Sequence, residues 1–163
     1  MGVLIVLVKE AARLAAVNTL EEHWDGQFPV DPVAVAQAKG LDVRFAILQD
    51  SISGAIVAEV GKKPLIIVDT TENYGRQMFT VAHELGHYAE REAAGDHEYS
   101  FVESRGRKYD LHEFYADEFA ANLLMPEKEF RARHNKFKSV NRVAAFFAVS
   151  PAAVLKRAER LGI

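Results

Sequence analysis

The chain has 163 residues, 49% hydrophobic and 26% charged, with a formal net charge of −3, which suits a globular protein with one buried core. It contains no cysteine, so disulfides and thiolate metal sites are excluded, and histidines and carboxylates remain as the strong metal ligands. The apolar run from Val3 to Val8 is too short to span a bilayer and follows no basic segment, so the sequence predicts a cytoplasmic protein.

The predicted elements begin with a helix over about residues 4–23, which is rich in alanine, leucine and valine. Its apolar start predicts either the first turn of a buried helix or a short strand. Asp31 then caps a short helix that begins at Pro32 and stops at Gly40.

Three strand-like runs follow, at residues 43–47, 55–60 and 64–68. Gly61-Lys62-Lys63 joins the last two runs as a hairpin connection. Because short turns join antiparallel strands, these runs predict a small, three-stranded, mainly antiparallel sheet.

Two long helices are predicted in the middle of the chain. The Asp-Thr-Thr stretch at 69–71 offers capping side chains for the first, which runs to about Arg91 with apolar residues three and four apart. Residues 93–110 show no clear period and contain two glycines, which predicts a long mobile loop. Asp110 caps the second helix, and Pro126 ends it at Met125.

The C-terminal residues predict three short helices, with Ser150 as the cap and Pro151 as the first residue of the last one. From Arg131 onward, eight lysines and arginines stand against a single acid, which indicates either a docking surface or a solvated helical face. The chain thus divides into an α+β domain at residues 1–128, whose small sheet packs on helices, and a basic segment at 129–163 with helix-turn-helix proportions.

The stretch HELGH in the first long helix contains His83, Glu84 and His87. Residues at i and i+4 share one helical face, so both imidazoles can converge on a zinc ion at about 2.0–2.1 Å per bond. Glu84 is rotated from that face by roughly 100°, which lets it reach a metal-bound water rather than the ion. This spacing is a known pattern of zinc peptidases. The alternative, a solvated pair of helix histidines, is disfavoured by the apolar stripe on the same helix.

A zinc site of this kind needs a third protein ligand and an open position. The downstream candidates are His97, Glu98, Glu103, Asp110, His112, Glu113, Asp117 and Glu118. The first three fall in the predicted loop, which would fix a ligand poorly. Glu113 on the second long helix is the favoured ligand, and Asp117, one turn further on, could orient a ligating imidazole through its free N–H. Glu118 is rotated away from both and is expected to be solvated.

HELGH followed by HEFYADEFAANLLMP resembles the ImmA/IrrE family of zinc-dependent peptidases, and a wider similarity covers about residues 28–128 and the C-terminal helices. The resemblance implies a zincin-like fold with His83, His87 and Glu113 as metal ligands and Glu84 as catalytic base. It also implies a substrate class, because family members cleave helix-turn-helix repressors of phage, mobile-element or stress-response genes. Many members carry asparagine at the position of Asp117.

The expected activity is hydrolysis of a peptide bond, with Zn²⁺ (or Mn²⁺ or Fe²⁺) polarising the scissile carbonyl and Glu84 taking a proton from the attacking water. A second electrophile is expected among Tyr88, His97, Tyr99 and Tyr109, and the substrate is expected to pair with an edge strand. Two alternatives remain. One is a module that holds a repressor without cutting it. The other, less favoured, is DNA binding by the C-terminal segment, whose last helix starts with apolar residues.

Overall fold

The computed structural model describes residues 1–104, 106 and 108–163, and these residues form seven helices and four strands. The elements in chain order are α1 Gly2–His23, α2 Pro32–Ala38, β1 Asp42–Ala46, β2 Ile52–Ala58, β3 Leu65–Asp69, α3 Tyr74–Ala93, β4 Tyr99–Ser104, α4 Leu111–Leu124, α5 Glu127–Phe137, α6 Val140–Phe147 and α7 Pro151–Leu161. The predicted α+β class is confirmed.

The four strands form one mixed sheet in the order β1-β3-β2-β4. Strand β2 runs antiparallel to both of its neighbours, whereas β1 runs parallel to β3, with Asp42 opposite Leu65. The predicted three-stranded, mainly antiparallel sheet is therefore wrong in the number of strands and in the pairing of β1. Strands β3 and β4 pair with the two edges of β2, so β1 cannot pair with β2. It pairs with the free edge of β3 instead, and the two strands run in the same direction.

Strand β4 lies where the sequence predicted a long mobile loop, so that prediction is wrong for residues 99–104. Its side chains alternate in exposure from Tyr99 to Glu103, with Phe101 half-buried between exposed neighbours. This period of two residues marks a strand with one covered face. The pattern is weak in the sequence because three residues carry it and one of them is an acid. Arg105 and Arg107, also in the predicted loop, lie outside the described residues.

Helix α3 is capped by Asn73, whose side chain accepts the backbone N–H of Arg76 at 3.0 Å, and not by the preceding Asp-Thr-Thr stretch as predicted. Asp69 instead accepts the N–H groups of Leu48 at 3.3 Å and Thr71 at 3.2 Å, which ties the end of β3 to the residues after β1. The apolar stripe of α3 is buried in the main core, as its spacing predicted. The caps predicted for three other helices, Asp31, Asp110 and Ser150, are confirmed.

The apolar start of α1 is exposed, although burial was one of its two expected states. Val3 is 76% exposed and Val6 is 64% exposed, and the fully buried residues of this helix begin at Ala12. The part of α1 that packs against α4 is therefore its second half. Among the described residues, none of the helices combines the length and apolar character that a membrane crossing requires.

Helices α5 to α7 bury an apolar cluster of their own and are also clamped to α4. Arg157 of α7 is 2% exposed and donates to the carbonyl of Met125 at 3.2 Å and to Asn122 Oδ1 at 2.9 Å. Arg160 pairs with Glu118 at 2.5 Å. Glu118 was expected to be solvated, yet it is 1% exposed, because α7 rather than water covers that side of α4.

Candidate metal centre

Helix α3 places His83 and His87 on one buried face, one turn apart. Their Nε2 atoms lie 3.2 Å from each other, and the residues are 3% and 1% exposed. Glu113, in the first turn of α4, points to the same place. Its Oε2 lies 3.3 Å from His83 Nε2 and its Oε1 lies 3.5 Å from His87 Nε2. These three buried residues form a group that could hold a metal ion.

The close approach of α3 and α4 depends on Gly86, between the two histidines. A Cβ on Gly86 would lie 2.9 Å from the Cα and 3.1 Å from the carbonyl oxygen of Ala116. These are backbone atoms, which cannot rotate out of the way as the end of a side chain could. The glycine therefore lets α4 bring Glu113 up to the two imidazoles.

The distances between the three donor atoms fit a cation with tetrahedral coordination. Zinc bonds of about 2.0–2.1 Å place the ligand atoms of a tetrahedron about 3.3–3.4 Å apart. The three observed separations are 3.2, 3.3 and 3.5 Å. Two imidazoles and one carboxylate also leave a fourth position to solvent or substrate, as in catalytic rather than structural zinc sites. The same donors are suited to manganese or iron.

Neighbouring side chains hold both imidazoles in place. His83 Nδ1 donates to Asp117 Oδ1 at 3.1 Å, which turns Nε2 toward the group, and Tyr109 donates to Asp117 Oδ2 at 3.0 Å. His87 stacks on the ring of Phe101 with the centroids 4.5 Å apart and the planes at 5°. The contact with Asp117 has the geometry that the sequence suggested for an orienting carboxylate. The contact with Phe101 comes from β4, which the sequence missed.

The charges around His83 set the protonation of the metal-free site. Burial opposes its protonation, but Asp117, Glu103 and Glu113 together hold the pKa of His83 well above its ordinary value of 6.5. Burial also favours the neutral form of Glu113, yet the two imidazoles hold the pKa of its carboxyl far below the usual range. Burial lowers the pKa of His87. A cation would therefore displace a proton from His83 and meet a carboxylate that is already ionised.

Glu84 lies on a different side of α3 from the two histidines, beneath β2. Its side chain is fully buried, and its Oε1 lies 3.8 Å from the point that a Cβ on Gly54 would occupy. Its negative charge contributes to the raised pKa of His83. Glu84 is not among the described residues that line the neighbouring cleft. Its role as catalytic base stays a prediction.

Glu103 is the ligand candidate that the sequence set aside and the fold brings to the site. Strand β4 places its Oε2 3.3 Å from His83 Nε2, although Glu103 is not a member of the group formed by His83, His87 and Glu113. The reasoning that excluded it, an irregular loop, is therefore corrected. Other downstream candidates have different partners: Asp110 caps α4, His112 faces Glu90 at 3.0 Å, and Glu118 pairs with Arg160.

The four side chains considered as a second electrophile lie in two places. Tyr109 lines the cleft beside the metal group, whereas Tyr88, His97 and Tyr99 line a separate pocket of about 300 Å³. Burial and the nearby Asp117 carboxylate raise the pKa of Tyr109, so its hydroxyl stays protonated and can donate a hydrogen bond.

A cleft of about 660 Å³ opens beside His83 and Glu113, within the range of about 300–1,000 Å³ that is usual for ligand sites. Its walls include Phe79 of α3, Glu103 of β4, Asp117 of α4, and Val149, Ala153 and Lys156 in and before α7. The sequence did not predict that α7 lines the cleft, because no local pattern shows which distant helix a C-terminal helix packs against.

A mixed sheet on helices, with two histidines of an HExxH helix and a glutamate of a second helix buried together, is typical of a metallopeptidase-like protein. Residues 36–159 match the model of the IrrE N-terminal-like domain, a peptidase family. The chain therefore belongs to this family, and the predicted ImmA/IrrE assignment is confirmed. A search among curated proteins gave no match to the chain.

Proposed function

We propose that the protein is a zinc-dependent endopeptidase. One observation carries the proposal. The donor atoms of His83, His87 and Glu113 lie 3.2, 3.3 and 3.5 Å apart, close to the distances between ligand atoms in tetrahedral zinc coordination. Membership in a peptidase family supports the same chemistry. A divalent cation at these ligands would supply Lewis acidity toward the scissile carbonyl and make an attacking water more acidic.

The residues of the chain have separate tasks in this proposal. Glu84 accepts a proton from the attacking water and later passes it to the leaving amine. Asp117 keeps Nε2 of His83 directed at the group through the hydrogen bond to Nδ1. Tyr109, whose hydroxyl stays protonated and lines the cleft, would donate to the oxyanion of the transition state after giving up its hydrogen bond to Asp117.

We propose that the substrate lies in the cleft as an extended chain paired with β4. This strand is an edge of the sheet, and its residues Glu103 and Ser104 line the cleft. An exposed edge strand offers backbone groups to an extended peptide. The proposed substrate is a helix-turn-helix transcriptional repressor in the cytoplasm, and its support is the ImmA/IrrE resemblance.

The alternative function is binding of such a repressor without cleavage. The full burial of Glu84 beneath β2 favours this alternative, since a base must reach the attacking water. DNA binding by the C-terminal segment is disfavoured. Arg157 is buried, Arg160 pairs with Glu118, and the start of α7 faces the cleft, so this helix has little of its basic surface left for phosphates.

Replacing Glu84 tests the catalytic proposal. Glu84→Gln should keep one zinc per chain and lower cleavage of a helix-turn-helix repressor panel by about 10²-fold or more, because the proton acceptor is lost. Glu92→Gln, on the same helix but 46% exposed at its side chain and paired with Lys39, is the matched control and should cleave normally. Fragments are read by mass spectrometry.

The same experiment separates the two functions. A zinc-loaded wild-type protein that binds a repressor and leaves it intact would support the non-cleaving alternative. A Glu84→Gln protein that cleaves as fast as the wild type would refute the assigned base.

A further inference from the structure

The start of α7 forms one wall of the cleft. Ala152, Ala153 and Lys156 line the cleft together with His83 and Asp117. Lys156 Nζ lies 3.7 Å from Asp117 Oδ2, the carboxylate that orients His83. A peptide that lies in the cleft would therefore lie close to α7.

This wall is held firmly against the helix that carries the third ligand. Arg157 donates two buried hydrogen bonds to the α4 end, and Arg160 pairs with Glu118 inside α4. Lys9 of α1 also donates to the carbonyl of Arg160 at 3.0 Å. The backbone of Lys156 is thus held at a fixed place relative to the site, from which its partly exposed side chain can reach a bound peptide.

The charges of the cleft differ in how accessible they are. The described lining has two cationic side chains, Lys156 at 57% and Arg76 at 43% side-chain exposure. Its acids are shielded, with side chains 15% exposed at Asp117, 19% at Glu103 and 6% at Glu113. The acids also face His83, whereas both cations retain solvent-facing surface. A peptide in the cleft therefore meets accessible positive charge and little accessible negative charge.

We propose that Lys156 is a specificity-determining residue. Its ammonium group binds a carboxylate of the peptide that lies in the cleft. Phe79 and Val149 line the same cleft and add apolar contact beside it. The preferred segment has an acidic residue near a small or apolar one. The proposal rests on the proposed function for cleavage, but the selection itself is a property of binding.

The expected change in the preference for acidic residues is small, because the Lys156 side chain is partly exposed to solvent. Ion pairs between exposed groups change affinity by about two- to fivefold, because water and salt screen them. Lys156→Glu should therefore lower the preference for acidic residues by at least that factor, and Lys156→Arg should keep it. Lys136→Glu makes the same charge change on an exposed lysine of α5, outside the cleft, and should leave the preference as it is.

Cleavage-site profiling tests the proposal. The zinc-loaded wild type and the three variants are incubated with a peptide mixture from a trypsin-digested lysate, and new ends are sequenced by mass spectrometry. Enrichment of Asp and Glu at one position, lost in Lys156→Glu and kept in the other two variants, would support the proposal. The same residue frequencies in the wild type and Lys156→Glu would overturn it. Equal zinc content of all four proteins is required.

If none of the four proteins cleaves the peptides, the proposed peptidase function fails, but the proposed selection by Lys156 can still be tested. A peptide-binding measurement then decides it. Fluorescein-labelled decapeptide pools with one fixed Asp or one fixed Asn, both amidated, are titrated by anisotropy. A third pool has Asn and a free C-terminus, so it reports a terminal carboxylate. Tighter binding of a carboxylate pool by the wild type, lost in Lys156→Glu, would support the proposal. Equal binding of the three pools would contradict it.

Discussion

Replacing Gly86 by alanine should separate the two helices that form the metal group. The added methyl carbon would stand 2.9 Å from the Cα of Ala116 and 3.1 Å from the Cβ of Phe119. Since the first of these atoms belongs to the backbone, α4 must move as a whole. That movement carries Glu113 away from the imidazoles, to which it now lies 3.3 and 3.5 Å.

The expected cost has two opposing parts. Overpacking of a tight contact costs about 1–3 kcal/mol, whereas alanine gains about 0.5–1 kcal/mol over glycine inside a helix. The net destabilisation should be about 1 kcal/mol, which lowers the melting temperature of a chain of this size by about 2–4 °C. Zinc affinity should fall more, by about ten- to hundredfold, because a misplaced ligand weakens a metal site at least as much as a lost outer-shell partner.

The measurement is a thermal melt of the metal-free protein together with a zinc titration against a chelator of known affinity. Gly75→Ala is the matched control on the same helix, because its Cβ would lie 3.6 Å from its nearest contact, Asn73 Oδ1. The control should be as stable as the wild type or slightly more stable, with unchanged zinc affinity. A Gly86→Ala protein that binds zinc as tightly as the wild type would refute the claim that this glycine sets the distance between α3 and α4.

Two further predictions concern the surroundings of His83. Because its pKa is raised in the metal-free fold, protonated His83 contributes stability that is complete below about pH 6.5 and is lost as the pH rises through the folded value. Zinc keeps the imidazole neutral, so the melting-temperature gap between zinc-loaded and metal-free protein should widen from pH 6 to pH 9, and a constant gap would contradict the assignment. Asp117→Ala removes the acceptor of the His83 N–H and should lower zinc affinity by about ten- to hundredfold. Asp117→Asn keeps an oxygen acceptor and should lose less, and equal affinity in the alanine variant would show that Asp117 does not orient the ligand.

The parts of the fold that the sequence predicted well are those that depend only on residues close together in the chain. Helix starts at Asp31, Asp110 and Ser150 need only a side chain that accepts a nearby N–H, and such caps can be read from neighbouring residues. The convergence of His83 and His87 needs only the repeat of one helical turn. These features do not depend on distant parts of the chain.

The parts that were wrong, or that the sequence did not predict at all, depend on distant contacts. The parallel pairing of β1 with β3 is decided by β4, which occupies the edge of β2 that β1 would otherwise use. The burial of Glu118 is decided by Arg160, which lies 42 positions later in the sequence. The arrival of Glu103 at the metal group required recognition of β4 from a short alternation of Tyr99, Phe101 and Glu103. The location of Lys156 in the cleft required the packing of α7 on α4.

The central claim is that His83, His87 and Glu113 together hold one divalent cation. Crystals grown with zinc and measured at the zinc absorption edge test it directly. We predict one anomalous peak about 2.0–2.2 Å from Nε2 of each histidine and from a carboxylate oxygen of Glu113. No peak between these side chains, or a zinc ion with Glu113 turned away from it, would contradict the account.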